Sequence, residues 1–186
     1  MTSIYLASKS PRRQALLSQL GVKFELIEGE IDETPFINED AKAYVLRLAT
    51  AKAQAGWQNS QKDKAVLGSD TIVVFNGELL GKPTGLQDAI RMLSMLSGQT
   101  HQVMTAVCLY RENTILTDVV ISQVTFAKLT KQEIVEYWQT GEPLDKAGSY
   151  AIQGIGGQFV VNINGNYSAI VGLPLYQTKQ LLAQLD

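Results

Sequence analysis

Apolar residues open the chain as a short unbroken run, Ile4 to Ala7, followed by the turn-formers Ser8 to Pro11. Arg13 to Leu20 then place Ala15, Leu16 and Leu20 at helical spacing. This predicts strand, tight loop and helix, with Gly21 as the helix stop. Val22, Phe24 and Leu26 alternate as a second strand does, before the acidic loop Glu28-Gly29-Glu30-Ile31-Asp32-Glu33. From Asn38 to Ala55 the spacing of Ala41, Val45, Leu48, Ala49 and Lys52 predicts a long helix ended by Gly56.

Ala65 to Leu67 and Thr71 to Phe75 read as one apolar strand broken near its middle by Gly68-Ser69-Asp70. Asn76-Gly77 is a hairpin signal leading into Glu78 to Leu80. A helix over Leu86 to Leu96 is closed by Ser97-Gly98, and Gln102 to Tyr110 with Ile115 to Phe126 form a hairpin turning at Glu112-Asn113. Thr130-Lys131-Gln132-Glu133 spells a capping box for a helix to about Thr140, beyond which Gly141 and Pro143 prevent continuation. Phe159 to Ile163 and Ser168 to Val171 read as strands around the turn Asn164-Gly165-Asn166, and Leu175 to Leu185 as a helix begun by Pro174. Helices alternate with strands, and hairpins occupy the middle. The fold class is α/β, a mixed twisted sheet flanked by helices, in a single domain over 1–186.

With 186 residues the chain buries enough surface for a core without staples. Sixteen basic against 18 acidic residues give no overall field that would draw it onto nucleic acid or an anionic membrane, so a polyanion must be gripped locally. Cys108 is the only cysteine and lies in an apolar stretch, which excludes internal disulfides and cysteine-rich zinc sites. The run Ile4 to Ala7 is too brief for a signal-peptide core or a transmembrane span, so a cytoplasmic protein is expected. His101 is the sole histidine, at the start of a strand, and a structural or solvent-facing role is expected for it. Carboxylates, lysines and arginines are left to do any chemistry, a combination that suits metal-assisted phosphate reactions.

Ser8-Lys9-Ser10-Pro11-Arg12-Arg13 follows a strand and opens a helix, so free backbone N–H groups and the helix dipole point at the loop. That is an anion site by construction, with two hydroxyls and three cations as added donors. The same spelling also describes a Ser10 N-cap with Pro11 at the first helical position and solvated basic side chains. Glu30, Asp32 and Glu33 share one loop, and Asp70 interrupts an apolar strand. Such carboxylates hold Mg²⁺ one or two at a time while substrate phosphates complete the shell. Asp70 needs a partner at the end of an apolar run. Lys52 on the inner helix face and Lys82 in Gly81-Lys82-Pro83 either neutralise phosphate or lie at the surface.

Taken together these segments resemble the Maf family of nucleoside triphosphate pyrophosphatases. The resemblance runs from Leu6 to Leu175 and is carried by Leu6-Ala7-Ser8-Lys9-Ser10-Pro11-Arg12-Arg13, Gly68-Ser69-Asp70-Thr71, Gly81-Lys82-Pro83, Ser97-Gly98, Gly148-Ser149-Tyr150-Ala151-Ile152-Gln153-Gly154 and Val171-Gly172-Leu173-Pro174. It implies an inosine-triphosphatase-like fold with a nucleotide cleft between two lobes. It also implies hydrolysis of a nucleoside triphosphate to monophosphate and pyrophosphate with a divalent metal, Mg²⁺ or Mn²⁺. Asp70 then corresponds to the acceptor of a proton from the attacking water. Ser8, Ser10, Arg13, Lys52 and Lys82 correspond to the phosphate grip, and Glu33 with Asp70 to the metal side.

The branch acting on dTTP and UTP carries Arg, Thr and Gln at the positions of Arg12, Thr71 and Gln153. A sister branch acting on 7-methyl-GTP has an aromatic residue, Gln and Glu there. Uracil and thymine present an N3–H donor beside carbonyl acceptors, which one amide such as Gln153 satisfies from both ends, and Arg12 would meet a carbonyl. A homodimer, a house-cleaning role and a link to cell-division arrest are further implications. Neither stable nucleic-acid binding nor membrane attachment is expected. Two rival readings are a nucleotide-binding regulator of septum formation and a pyrophosphatase for non-standard purine nucleotides.

Overall fold

The computed structural model of the chain describes residues 3–185. Met1, Thr2 and Asp186, which the expected 1–186 domain includes, lie outside the described residues. The elements are β1 (Ser3–Leu6), α1 (Pro11–Gln19), β2 (Lys23–Leu26), α2 (Ala41–Asn59), β3 (Val66–Phe75), β4 (Glu78–Leu80) and α3 (Leu86–Leu96). They continue with β5 (Thr100–Arg111), β6 (Thr114–Phe126), α4 (Lys131–Gln139), β7 (Val160–Asn164), α5 (Tyr167–Val171) and α6 (Leu175–Leu182). Among the described residues seven strands make one sheet in the order β2-β1-β3-β5-β6-β7, with β4 paired to β3. It is mixed as expected: β1 runs parallel to β2 and to β3, while β3 with β4 and β6 with β7 are antiparallel.

The chain divides into two compact units. The first comprises Met1–Thr71, Thr105–Val120 and Gly172–Asp186. Here Trp57 of α2 packs with Tyr5, Ala7 and Val66, and Tyr110 meets the Trp57 ring edge-on at 6.0 Å. The second comprises Ile72–Met104 and Ile121–Val171. Its core gathers Met92, Leu93 and Leu96 of α3, Ile134 and Tyr137 of α4, and Phe126, Tyr150 and Phe159.

Three glycine- and asparagine-based expectations are corrected. Gly56 does not stop α2, which continues to Asn59. A Cβ at Gly56 would lie 2.9 Å from both Ala7 Cβ and Val66 Cγ1, so this glycine permits helix-to-sheet contact and does not end the helix. Gly68-Ser69-Asp70 does not break β3, a continuous strand of 10 residues. A Cβ on Gly68 would meet the Ala49 carbonyl oxygen of α2 at 2.3 Å, so the missing side chain admits a helix backbone. Ser168 to Val171 is helix, not strand. Asn166 accounts for it: its Oδ1 accepts from the Ala169 N–H at 3.0 Å and from the Ser168 hydroxyl at 2.8 Å, as a helix cap does.

α2 begins at Ala41, capped by Asp40, and not at Asn38, and α6 ends at Leu182, short of the expected Leu185. Asn76 (φ 49°) and Gly77 (φ 80°) make the β3–β4 turn, and Thr130 with Glu133 forms a complete capping box.

Candidate functional site

β1 ends at Leu6 and α1 starts at Pro11, leaving residues 7–10, with the Ser8–Ser10 loop, between them. Ser10 caps α1 through its Oγ, which accepts from the Arg13 N–H, and Ser8 Oγ accepts from the Ser10 N–H at 3.2 Å. The capped-helix reading is therefore realised, yet it does not leave Arg13 solvated. Arg13 donates from Nε to the Gly172 carbonyl at 2.8 Å and from Nη2 to Thr71 Oγ1 at 3.3 Å, with a longer approach of Nη1 to Ser8 Oγ at 3.5 Å. Enclosure lowers its pKa while Asp70 opposes that shift, and a guanidinium stays cationic under both. Arg12 is half-buried in the first turn of α1. Lys9, by contrast, is exposed and pairs with Glu30.

Lys52 on α2 and Asp70 on β3 meet at 2.6 Å, and Glu33 reaches the same ammonium at 2.7 Å. Asp70 is 7% exposed, and burial raises its pKa against the pull of Lys52 and Arg13. A buried carboxyl with a raised pKa is a better proton acceptor than an ordinary aspartate. Of the acidic loop only Glu33 joins this cluster: Glu30 goes to Lys9, and Asp32 closes a local turn by accepting from Thr34 N and Oγ1 at 2.9 and 2.6 Å. Tyr44 steadies Glu33 by donating to its backbone carbonyl at 2.8 Å.

Among the described residues no group of three or more His, Cys, Asp or Glu side chains could hold a metal ion alone. Glu33 and Asp70 nevertheless bring two carboxylate oxygens onto one cation, the Lys52 ammonium. Two carboxylates plus phosphate oxygens is how Mg²⁺ is held in phosphoryl-transfer sites, so the donors fit a metal completed by substrate.

Ser8, Ser10, Arg12, Arg13, Glu33, Lys52, Asp70 and Thr71 all belong to the first unit. Lys82 and Gln153 belong to the second, both exposed. Their segments are joined there, because the Gly148 N–H donates to the Gly81 carbonyl at 3.1 Å. Sequence reasoning missed Gly172, Ser69 and Thr105. Ser69 Oγ, fully buried, contacts the Ala106 and Gly172 carbonyls at 2.8 and 3.1 Å, and Thr105 Oγ1 lies 2.9 Å from Thr71 Oγ1. Of these only Gly172 and Ser69 lie in segments singled out by the resemblance, and nothing there marks Gly172 as the partner of Arg13; its φ of 134° favours glycine.

The remaining titratable candidates are structural. Burial pushes the Cys108 thiol up to about 11, partly offset by Thr50. His101 is 2% exposed, its Nε2 is 2.8 Å from the Tyr150 hydroxyl, and its ring meets the Phe126 edge at 4.9 Å. Burial pushes its pKa down to about 4 from 6.5. Below the higher value the unfolded chain binds a proton that the folded chain refuses, so stability is lost as pH falls from 6.5 towards 4. The loss reaches about 3 kcal/mol at the acid end of this window. Thermal melts between pH 7 and 5 should show a declining midpoint in the native chain, with any contribution from the raised Asp70 carboxyl common to it and to a His101→Gln variant. The slope should be clearly shallower in His101→Gln, and parallel slopes would contradict the assignment.

No helix among the described residues is long and apolar enough to cross a membrane. A dTTP/UTP pyrophosphatase of Pseudoalteromonas atlantica is 55% identical, with 98% of this chain and 97% of that protein covered. The dTTP/UTP pyrophosphatase of Escherichia coli O157:H7 is 56% identical over 100% of this chain and 94% of its own. Among solved structures, a nucleoside-triphosphatase/dITP/XTP pyrophosphatase from Mycobacterium abscessus superposes with a TM-score of 0.52 at 16% identity, covering 100% of this chain and 98% of its own. The Staphylococcus aureus Ham1 protein gives 0.50 at 13%, covering 99% and 98%. These two show a shared fold alone. Residues 3–185 match the family described as Maf-like protein, and the chain belongs to that family.

Proposed function

We propose that this chain is a nucleoside triphosphate pyrophosphatase that hydrolyses dTTP and UTP to the monophosphate and pyrophosphate. The observation that carries the proposal is the convergence of Arg13, Lys52, Glu33 and Asp70 beside the Ser8–Ser10 loop, in a chain 55–56% identical over its whole length to dTTP/UTP pyrophosphatases. Ser8, Ser10, Arg13, Lys52 and Lys82 grip the triphosphate. Arg12, Thr71 and Gln153 select the pyrimidine.

Asp70 orients a water and takes its proton as the water oxygen bonds to the α-phosphorus and the bond to the bridging oxygen of pyrophosphate breaks. Arg13 and Lys52 offset the charge that develops on the phosphate oxygens, so positioning and electrostatics supply most of the acceleration. Glu33 and Asp70 would hold Mg²⁺ or Mn²⁺ against the phosphates, and when bound it supplies further charge neutralisation. Attack at the β-phosphorus gives the same products, and ¹⁸O-labelled water separates the two routes by which product carries the label. The same reading extends to a cytoplasmic homodimer without stable nucleic-acid binding, a house-cleaning enzyme. A regulatory role in septum formation is not favoured by the full-length enzyme relatives.

The test is a panel of dTTP, UTP, 5-methyl-UTP and inosine triphosphate, each with divalent metal and with chelator. Pyrophosphate release from the three pyrimidines, at least about tenfold above inosine triphosphate in kcat/KM and abolished by chelator, is expected. Preference for the inosine compound would overturn the base assignment, and no release from any nucleotide would overturn the enzyme.

A further inference from the structure

In the second unit the segment carrying Gln153 is held at both ends by two side chains that the catalytic reading does not use. Tyr137 of α4 accepts from the Ala151 N–H through its hydroxyl at 3.0 Å and donates the hydroxyl proton to Glu142 Oε2 at 2.6 Å. The Glu142 carboxylate then accepts from the Gly156 N–H at 2.8 Å and, through Oε1, from the Ile155 N–H at 2.9 Å. Three backbone donors on either side of Ile152, Gln153 and Gly154 are thus tied to one tyrosine–glutamate pair. A hydrogen bond from Gly154 N–H to the Ala151 carbonyl at 3.2 Å tightens the turn between them.

The glycines of this stretch are explained by the pair. A Cβ on Gly154 would lie 1.9 Å from Glu142 Oε1, and one on Gly156 would lie 2.5 Å from the Tyr137 hydroxyl. Neither has a φ in the left-handed region that would by itself demand glycine. The loop lacks side chains where the carboxylate and phenol enter. Burial acts against the Glu142 charge, but the hydrogen bonds from Tyr137, Gly156 and Ile155 outweigh it and hold its carboxyl below the usual carboxylate range. It is therefore an acceptor-only group near neutral pH, matched to three donors.

We propose that Glu142, backed by Tyr137, is a positioning residue for base selection: it fixes loop 151–156 so that Gln153 presents its amide to the pyrimidine in one orientation. This rests on the reading of Gln153 as the side chain that contacts the base. An amide that must donate at one end and accept at the other discriminates only if its backbone is fixed, and an exposed loop of this length does not fix itself.

The experiment is a double-mutant cycle on the full chain with Glu142→Gln and Gln153→Ala, read as kcat and KM for dTTP, dCTP and inosine triphosphate. In Glu142→Gln an NH₂ group confronts backbone N–H donors. KM for dTTP should rise about tenfold with kcat within about threefold, and the preference for dTTP over the other two should fall by a similar factor. The double variant should lose no more preference than Gln153→Ala alone, a non-additivity that a merely destabilising substitution does not produce. Amide exchange at Ile155 and Gly156 should accelerate while that of α4 stays unchanged. Tyr137→Phe, which keeps the ring in the core, should move preference and exchange in the same direction. If Gln153→Ala loses preference while Glu142→Gln and Tyr137→Phe keep it, the positioning role is overturned and the base reading stands. If Gln153→Ala itself keeps preference, the base reading falls and takes the positioning role with it.

Discussion

Replacing Asp70 by asparagine is expected to lower kcat for dTTP and UTP about 10³-fold, within the range general bases contribute. KM should change by less than about threefold, because Ser8, Ser10, Arg13, Lys52 and Lys82, the groups proposed to grip the triphosphate, stay in place and Glu33 remains for the metal. The substitution keeps the shape of the side chain and removes its negative charge, and with it the proton acceptor, the ion pair to Lys52 and one of the two carboxylates proposed to hold the metal. Lys52 retains Glu33 at 2.7 Å, so no buried cation is stranded. Asp70 is 7% exposed and its pKa is raised, meaning that the ionised carboxylate is held in surroundings that disfavour it. A neutral amide in its place removes that cost, and the unfolding midpoint should stay where it is or rise. Steady-state pyrophosphate release, dTTP binding by calorimetry and a thermal melt on the same preparation check all three parts. A kcat within tenfold of the native value would exclude Asp70 as the proton acceptor.

The largest structural effect is expected at Gly68. Alanine there would place its Cβ 2.3 Å from the Ala49 carbonyl oxygen, 2.7 Å from the Ala53 nitrogen and 3.0 Å from the Ala53 Cβ. Two of those contacts are helix backbone, which cannot rotate away, so α2 or β3 must shift. A loss of about 3 kcal/mol or more follows. For a domain of this size that is roughly 6–12 °C in the midpoint. Lys52 lies on the same stretch of α2, between Ala49 and Ala53, and pairs with Asp70 on β3, so activity at permissive temperature should fall as well. Gly85→Ala is the control: a Cβ there meets nothing within 4 Å, and its cost should stay within about 1 kcal/mol. Equal midpoints for the two variants would refute the packing account.

The contrast between these glycines shows where the sequence could be read and where it could not. Asn76-Gly77 and Gly141 were legible because a positive φ leaves a local trace in the residues around a turn. Gly56 and Gly68 gave the same letter for a different reason, the approach of a distant backbone or side chain, and no neighbouring residue distinguishes the two. Ser168 to Val171 was misread because an apolar run of that length has no period of its own, and the deciding group, the Asn166 side chain, stood outside it.

At the site, charge and position along predicted elements raised Ser10, Arg13, Lys52 and Asp70 as candidates. They left Ser10 and Arg13 open between an anion site and a capped helix, and Lys52 between phosphate and surface; only the family resemblance assigned them roles. Glu142 was not among the candidates, since a glutamate after a helix-ending glycine looks like any solvated residue until the loop that wraps it is seen. Nor could any pattern announce that a carbonyl, that of Gly172, would hold Arg13 from 159 positions away.

That separation has a consequence for biosynthesis. The first unit draws on Met1–Thr71, Thr105–Val120 and Gly172–Asp186, while the second uses nothing beyond Val171. During translation the second unit's chain is complete before the first unit's, although the first began earlier, and the closing contacts carry the entropic cost of a long loop. A nascent chain stalled short of Gly172 would carry Ser8, Arg13, Lys52 and Asp70 in full, yet would lack the carbonyl that orients the arginine. The fixed orientation of Arg13 therefore emerges late on the ribosome.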